Sequence, residues 1–206
     1  MKVLALHATR NTSKPDATGA FIPEATLFTR MHGGVCAGFD NKLDPARCRA
    51  DVESKIAACV GLDAIALFCH GHRDSMQTGH KLAHVNALAD VIARASASRV
   101  VVALYACSTA KEITIGRGGF ADALRDALSL RGKSGHVDAH TTAGHATRNP
   151  NVQRFDMGED ARETVGDWIV DPRSPEWRKW VRELKGDLRF QFPFMSTDEI
   201  RALVRS

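Results

Sequence analysis

Ala-Ile-Ala-Leu-Phe-Cys-His-Gly, residues 64–71, and Arg-Val-Val-Val-Ala-Leu-Tyr-Ala-Cys-Ser-Thr-Ala, residues 99–110, decide the fold of this chain. Each is an apolar run rich in residues that favour strands, and each is too short for a buried helix. One run ends on His70 and the other on Cys107, side chains capable of acid/base and nucleophilic chemistry. Between them Leu82, Val85, Leu88, Ala89, Ile92 and Ala95 recur at helical spacing. Strand, amphipathic helix, strand is a βαβ unit, so the two strands are expected to be parallel and to end at one edge of one sheet. Neighbouring strands lie about 5 Å apart, which brings His70 and Cys107 within reach of each other at the edge where open α/β sheets bind ligands.

The pattern extends in both directions. Val3 to His7 predicts a first strand, followed by a polar loop at the same edge that puts Arg10 and Asn11 near the cleft. Residues 21–43 are ambiguous: Phe21, Ile22, Leu27, Phe28 and Met31 suit a helix interrupted by His32-Gly33-Gly34. Asp44-Pro45 is an N-cap followed by a first-turn proline and opens a helix to about residue 60. A further helix runs from Phe120 to about Leu130, and a strand from His136 to Thr142. The alternation predicts a three-layer α/β/α architecture around a mainly parallel sheet.

Past Gly144 the character changes. Gln153 to Phe155 and Asp167 to Val170 suggest a β-hairpin. A helix is expected from Pro175 to Leu184 with Trp177 and Trp180 on one face, then a strand from Leu188 to Phe192 and a last helix capped at Ser196. Residues 1–145 therefore form the expected core, and residues 146–206 a small α+β addition, packed on the core or offering a surface to a protein partner.

With 206 residues, 44% hydrophobic and 25% charged, the composition is that of an ordinary globular domain. No apolar run approaches the roughly 18 residues of a membrane span, and the start lacks the pattern of a signal peptide. The net charge of +4 is mild and its basic residues are dispersed, which does not call for nucleic acid. Five cysteines without framework spacing point to a reducing compartment, with the cytoplasm as the default.

A cysteine closing a buried strand is most often a small hydrophobe. What sets Cys107 apart is His70 at the equivalent strand end, since an imidazole beside a thiol is an activated nucleophile pair. Cys69 precedes His70 and faces the other side of the strand, into the core. His72, past a glycine that can redirect the chain, is an alternative base. Cys36, Cys48 and Cys59 lack such partners, and His80, His84, His136 and His140 read as surface or core histidines. Ser108 lacks the flanking glycines of a serine-nucleophile elbow. Zinc is the competing chemistry, with Cys69, His70, His72 and Cys107 as ligand types. Adjacent strand residues facing opposite ways, and the absence of a C-x-x-C spacing, argue against it.

A strand ending in His-Gly, and one βα unit later a strand ending in Ala-Cys-Ser-Thr-Ala, resembles the caspase-type fold of cysteine peptidases. That group includes caspases, metacaspases, bacterial CHAT peptidases and the self-cleaving protease domains of large toxins. Gly119-Phe120-Ala121-Asp122-Ala123-Leu124 is similar to the bacterial branches. The resemblance covers roughly residues 1–145. It implies that Cys107 is the nucleophile, His70 its acid/base partner, and the backbone N–H groups of Gly71 and Cys107 the oxyanion hole. It implies a protein or peptide substrate, including the chain itself, with no cofactor. Several relatives that prefer basic residues carry an acid just before the nucleophile, where this chain has Tyr105-Ala106. Asp74 for a basic substrate side chain, and Arg10, His145 or Arg148 for an acidic one, are the substrate-binding candidates. A catalytically inactive scaffold or binding module is the alternative function.

Overall fold

The computed structural model describes residues 2–9, 18–114, 118–143, 151–157 and 163–164. The first strand, β1 (Val3–Ala8), leads to helix α1 (Thr18–His32), strand β2 (Val35–Phe39), helix α2 (Pro45–Ala57) and strand β3 (Leu62–Phe68). A two-residue ladder follows, β4 (Gly71–His72) with β5 (Ser75–Met76), then a 3-10 turn and helix α3 (Val85–Ala95). Strand β6 (Ser96–Tyr105), helix α4 (Phe120–Ser129) and strands β7 (Ser134–His140), β8 (Val152–Met157) and β9 (Glu163–Thr164) complete the order.

Among the described residues seven strands form one sheet in the order β2-β1-β3-β6-β7-β8-β9. The first five in that order are parallel; β8 and β9 are antiparallel additions. From β1 the chain steps outward to β2, then back across β1 to β3 and onward to β6 and β7. Right-handed crossovers in opposite directions place α1 on one face and α2, α3 and α4 on the other. The contacts agree: α1 packs on β1, β2 and β3, while α2, α3 and α4 pack side by side. The result is a three-layer α/β/α sandwich, and the reversal of strand order between β1 and β3 is a switch point, where such sheets open a crevice at their carboxyl edge.

Local signals explain the helices. Asp44 caps α2, its Oδ1 accepting the N–H groups of Ala46 and Arg47 at 3.1 Å, with Pro45 in the first turn. Cys48, Val52 and Ile56 form its buried stripe. The amphipathic stretch before β6 buries Val85, Leu88, Ala89, Ile92 and Ala95 in α3, and α4 buries Phe120, Ala121, Leu124, Ala127 and Leu128. β1 and most of β3 and β6 are buried on both faces, as central parallel strands require. On the α1 side, Phe28 meets Phe68 and Tyr105 edge-on, each with ring centroids 5.8 Å apart, and Phe68 stacks on Tyr105 at 4.2 Å. Burying each such ring contributes about 1.5–3 kcal/mol before entropy is counted.

The stretch 21–43, ambiguous in sequence, divides at the expected break: α1 ends at His32, and residues 35–39 are strand β2. Gly33 and Gly34 end α1 with φ of 76° and 114°, and a Cβ on Gly34 would lie 2.1 Å from the Val3 carbonyl oxygen, so glycine there lets the chain turn tightly against β1. The strand containing Gln153 to Phe155 pairs with Glu163–Thr164 and, along its whole length, with β7. It is thus an integral strand of the main sheet. Asp167 to Val170, the expected helix with Trp177 and Trp180, the strand Leu188 to Phe192 and the helix at Ser196 lie outside the described residues, and no helix within them is long and apolar enough to cross a membrane.

The α1-side face of β7 is polar and buried. Asp138, fully buried, accepts from Arg154 Nε at 3.2 Å across the β7–β8 register, and His136 Nε2 lies 3.6 Å from its other oxygen. His80 is also a core histidine, its Nε2 3.1 Å from Glu53 Oε1 and its Nδ1 2.9 Å from Thr78 Oγ1.

Candidate active site

Parallel pairing of β3 with β6 ends at Phe68 opposite Tyr105, and the Cys69 N–H carries the ladder one step further to the Tyr105 carbonyl at 3.3 Å. His70 and Cys107 each follow that registered pair by two residues. Both stand at the carboxyl edge of the sheet, His70 beyond the strand that borders the switch point and Cys107 one strand further on. The His70 ring packs edge-on against Phe21 of α1, with centroids 5.1 Å apart, which fixes it on the α1 side. Burial there lowers its pKa below 6.5, favouring the neutral imidazole. Cys69 faces the core at 1% exposure, and burial pushes its thiol up to about 12.

Gly71 seals the two chain ends together. A Cβ at this position would come within 2.8 Å of the Cys107 carbonyl oxygen, 2.8 Å of Ala106 Cβ and 2.9 Å of Thr109 Cγ2. Only a residue without a side chain fits this approach. The segment after His70 therefore lies directly on the backbone of Cys107.

The loop carrying Cys107 is held from two sides. Ser108 N–H donates to the Thr142 carbonyl at 3.1 Å and Ala110 N–H to the His140 carbonyl at 2.9 Å, tying it to the end of β7. Ala121 N–H donates to the Thr109 carbonyl at 2.9 Å, tying it to the start of α4, and Phe120 N–H donates to the Arg73 carbonyl at 2.8 Å. Thr109 Oγ1 donates to the Ala106 carbonyl at 2.9 Å inside the loop. Ser108, at φ 58°, is the one non-glycine with left-handed backbone among the described residues. Strained backbone immediately after a reactive side chain is the kind of outlier that over-determined functional loops retain.

The other sequence candidates separate. His72, with its side chain 62% exposed, shares its Nδ1 with Asp74 Oδ1 at 2.8 Å, and Ser75 Oγ donates to the same oxygen at 2.9 Å. These hydrogen bonds, that from His72 first, hold the Asp74 carboxyl below its usual range. His72 and Asp74 thus engage each other on the outer hairpin. Arg10, His145 and Arg148 lie outside the described residues. Burial pushes the thiols of Cys36 and Cys48 up, the latter to about 11. Among the described residues no three His, Cys, Asp or Glu side chains are grouped to hold a metal, so Cys69, His70, His72 and Cys107 do not assemble as a ligand set.

Three features escape sequence reading. His7, the last residue but one of β1, pairs in register with Phe68, placing a further buried histidine near the same edge; burial lowers its pKa. Its position at the end of a first apolar run was the available signal. Gln77 binds both backbone polar groups of His70: its Oε1 accepts the His70 N–H at 3.2 Å, and its own N–H donates to the His70 carbonyl at 2.9 Å. A cavity of about 350 Å³ opens beside the Cys107 loop, between Ala110, Gly118, Asp122, Thr141 and Phe155, with polar and aromatic walls. No local pattern announces the last two.

No protein-family model matches this chain, and no curated protein matches its sequence.

Proposed function

We propose that this protein is a cysteine endopeptidase of the caspase-like type, working through Cys107 and His70. The observation that carries the reading is their equivalent placement beyond the Phe68–Tyr105 pair, at the ligand-binding edge of a parallel sheet, with Gly71 packed on the Cys107 backbone. In this reading the neutral His70 imidazole takes the Cys107 proton, and the thiolate attacks a peptide carbonyl, forming a C–S bond and a tetrahedral oxyanion. Backbone N–H groups of Gly71 and Cys107 stabilise that oxyanion. The imidazolium returns its proton to the leaving amine as the C–N bond breaks, giving a thioester. Water, deprotonated by His70, then cleaves the thioester and frees Cys107. The substrate is a protein or peptide segment, the chain itself included, with the cavity beside Ala110 and Thr141 as a place for one of its side chains. A reduced thiol suits the cytoplasm, and residues 146–206 pack on the core or offer a surface to a protein partner.

The test is intact-mass spectrometry after brief exposure to a low dose of iodoacetamide. One fast adduct on the wild type, lost in Cys107→Ala and slowed in His70→Ala, is the expected result. Slow and equal labelling of all five cysteines would overturn the peptidase reading and favour a binding scaffold on the same fold.

A further inference from the structure

Helix α2 is separated from His70 by a whole strand, yet it grips the turn that holds this residue. The turn, residues 76–80, folds on itself, with Met76 N–H donating to the His80 carbonyl at 2.9 Å and Gly79 N–H to the Met76 carbonyl at 3.0 Å. Four contacts from α2 close on it. Cys48 Sγ donates to the Gln77 carbonyl at 3.6 Å, and Arg49 Nη1 donates to the Gly79 carbonyl at 2.9 Å. Glu53 Oε1 meets His80 Nε2 at 3.1 Å. Gly79, at φ 80°, lies so close to Pro45 that a Cβ would stand 2.3 Å from its carbonyl oxygen.

We propose that Gln77 is a positioning residue for His70, and that α2 anchors the turn so that His70 is held beside the Cys107 loop. This rests on the His70/Cys107 reading. The physical reason lies in the path of the chain: His70 stands beyond the last residue of β3, where the parallel ladder no longer fixes it. Gln77 replaces the ladder. Its side-chain oxygen and its N–H occupy the N–H and C=O of His70, the two groups a neighbouring strand would have taken. The closed loop includes Gly71, so the same pair also sets the approach of Gly71 to the Cys107 carbonyl.

The experiment compares the full-length wild type with Gln77→Met, which keeps the length of the side chain and removes the acceptor, and Gln77→Glu, which keeps an acceptor. Gln77→Met is expected to slow iodoacetamide labelling of Cys107 about tenfold, and Gln77→Glu to stay within about threefold of wild type. The His70 imidazole, followed by proton NMR, should titrate closer to 6.5 in Gln77→Met as the ring loosens towards water, a change that mere loss of stability does not produce. Unchanged labelling and an unchanged His70 titration would overturn the positioning role while leaving the dyad standing. Wild-type Cys107 labelling no faster than the other cysteines would remove the dyad and this inference with it. Where Gln77→Met does not fold, Arg49→Met loosens the same turn from outside. It should slow Cys107 labelling in the same direction, and no slowing would count against the proposal.

Discussion

His70 and Cys107 occupy equivalent positions on neighbouring parallel strands, each two residues past the facing pair Phe68 and Tyr105. Parallel strands end together, and a sheet paired antiparallel here would have sent these residues to opposite edges. The reactivity of the pair then depends on the protonation of His70. Burial against Phe21 lowers its pKa, so the imidazole is neutral at pH 7 and takes up a proton only as pH falls below 6.5. Labelling of Cys107, or turnover of a peptide once one is found, should lose its imidazole-assisted rate on that acid side. His70→Ala should lower kcat/KM by about 10²–10⁴-fold, and the acid limb assigned to His70 should disappear with it.

Gly71 offers a steric test of the site. Gly71→Ala places a methyl 2.8 Å from both the Cys107 carbonyl oxygen and Ala106 Cβ, where backbone must shift to make room. The expected cost is about 1–3 kcal/mol of unfolding free energy, read by urea denaturation. Cys107 labelling should slow as well, because the displaced backbone is that of the nucleophile. Unchanged stability and labelling would mean that the two loops separate without consequence.

Ser108 tests the strain of the loop. At φ 58° a β-branched side chain clashes with its own backbone, so Ser108→Val should cost about 1–3 kcal/mol in the same denaturation experiment. Ser108→Gly relieves the strain but adds freedom to the unfolded chain, and should stay within about 1 kcal/mol of wild type. Equal stability of the Val and Gly variants would show that the loop relaxes readily to another backbone conformation.

Acid should destabilise the fold through its buried histidines. Burial first, and then the charges of Arg154 and Arg99, push His136 down to about 4. The unfolded chain takes up a proton near pH 6.5 while the folded chain resists until about 4, so the stability contribution is complete above 6.5 and is lost as pH falls through that window. Its full size is about 3 kcal/mol, an upper bound. Burial lowers His7, His32 and His80 in the same direction. Thermal unfolding from pH 7 to pH 4 should show a falling Tm in wild type and a shallower fall in His136→Gln.

Breaking the ion pair behind His136 is a separate test. Asp138 is fully buried and accepts from Arg154 at 3.2 Å, so Asp138→Asn leaves the guanidinium half-buried without its counter-charge. About 3–5 kcal/mol of stability should be lost, against a much smaller further loss when Arg154→Met is added to Asp138→Asn. Additive losses would mean that the two residues do not stabilise the fold as a pair.

The sequence by itself determined the architecture and the edge on which the candidate site stands. Apolar runs at β1, β3 and β6 and helical stripes at α2, α3 and α4 are local periodicities, and alternating them leaves parallel pairing as the economical solution. His70 and Cys107 followed because each closes one of those runs. Tertiary structure decided what local periodicity does not encode. β2 is a short, half-exposed edge strand whose five residues become a strand only by pairing with β1. Gln77 reaches His70 across a hairpin, and Ser108 takes a left-handed backbone because the end of β7 and the start of α4 bind the loop on either side. The pairing of β2 and the ties around Ser108 join residues distant in the chain, so they exist only once the layers have packed, and the Gln77 contact exists only once its hairpin has closed.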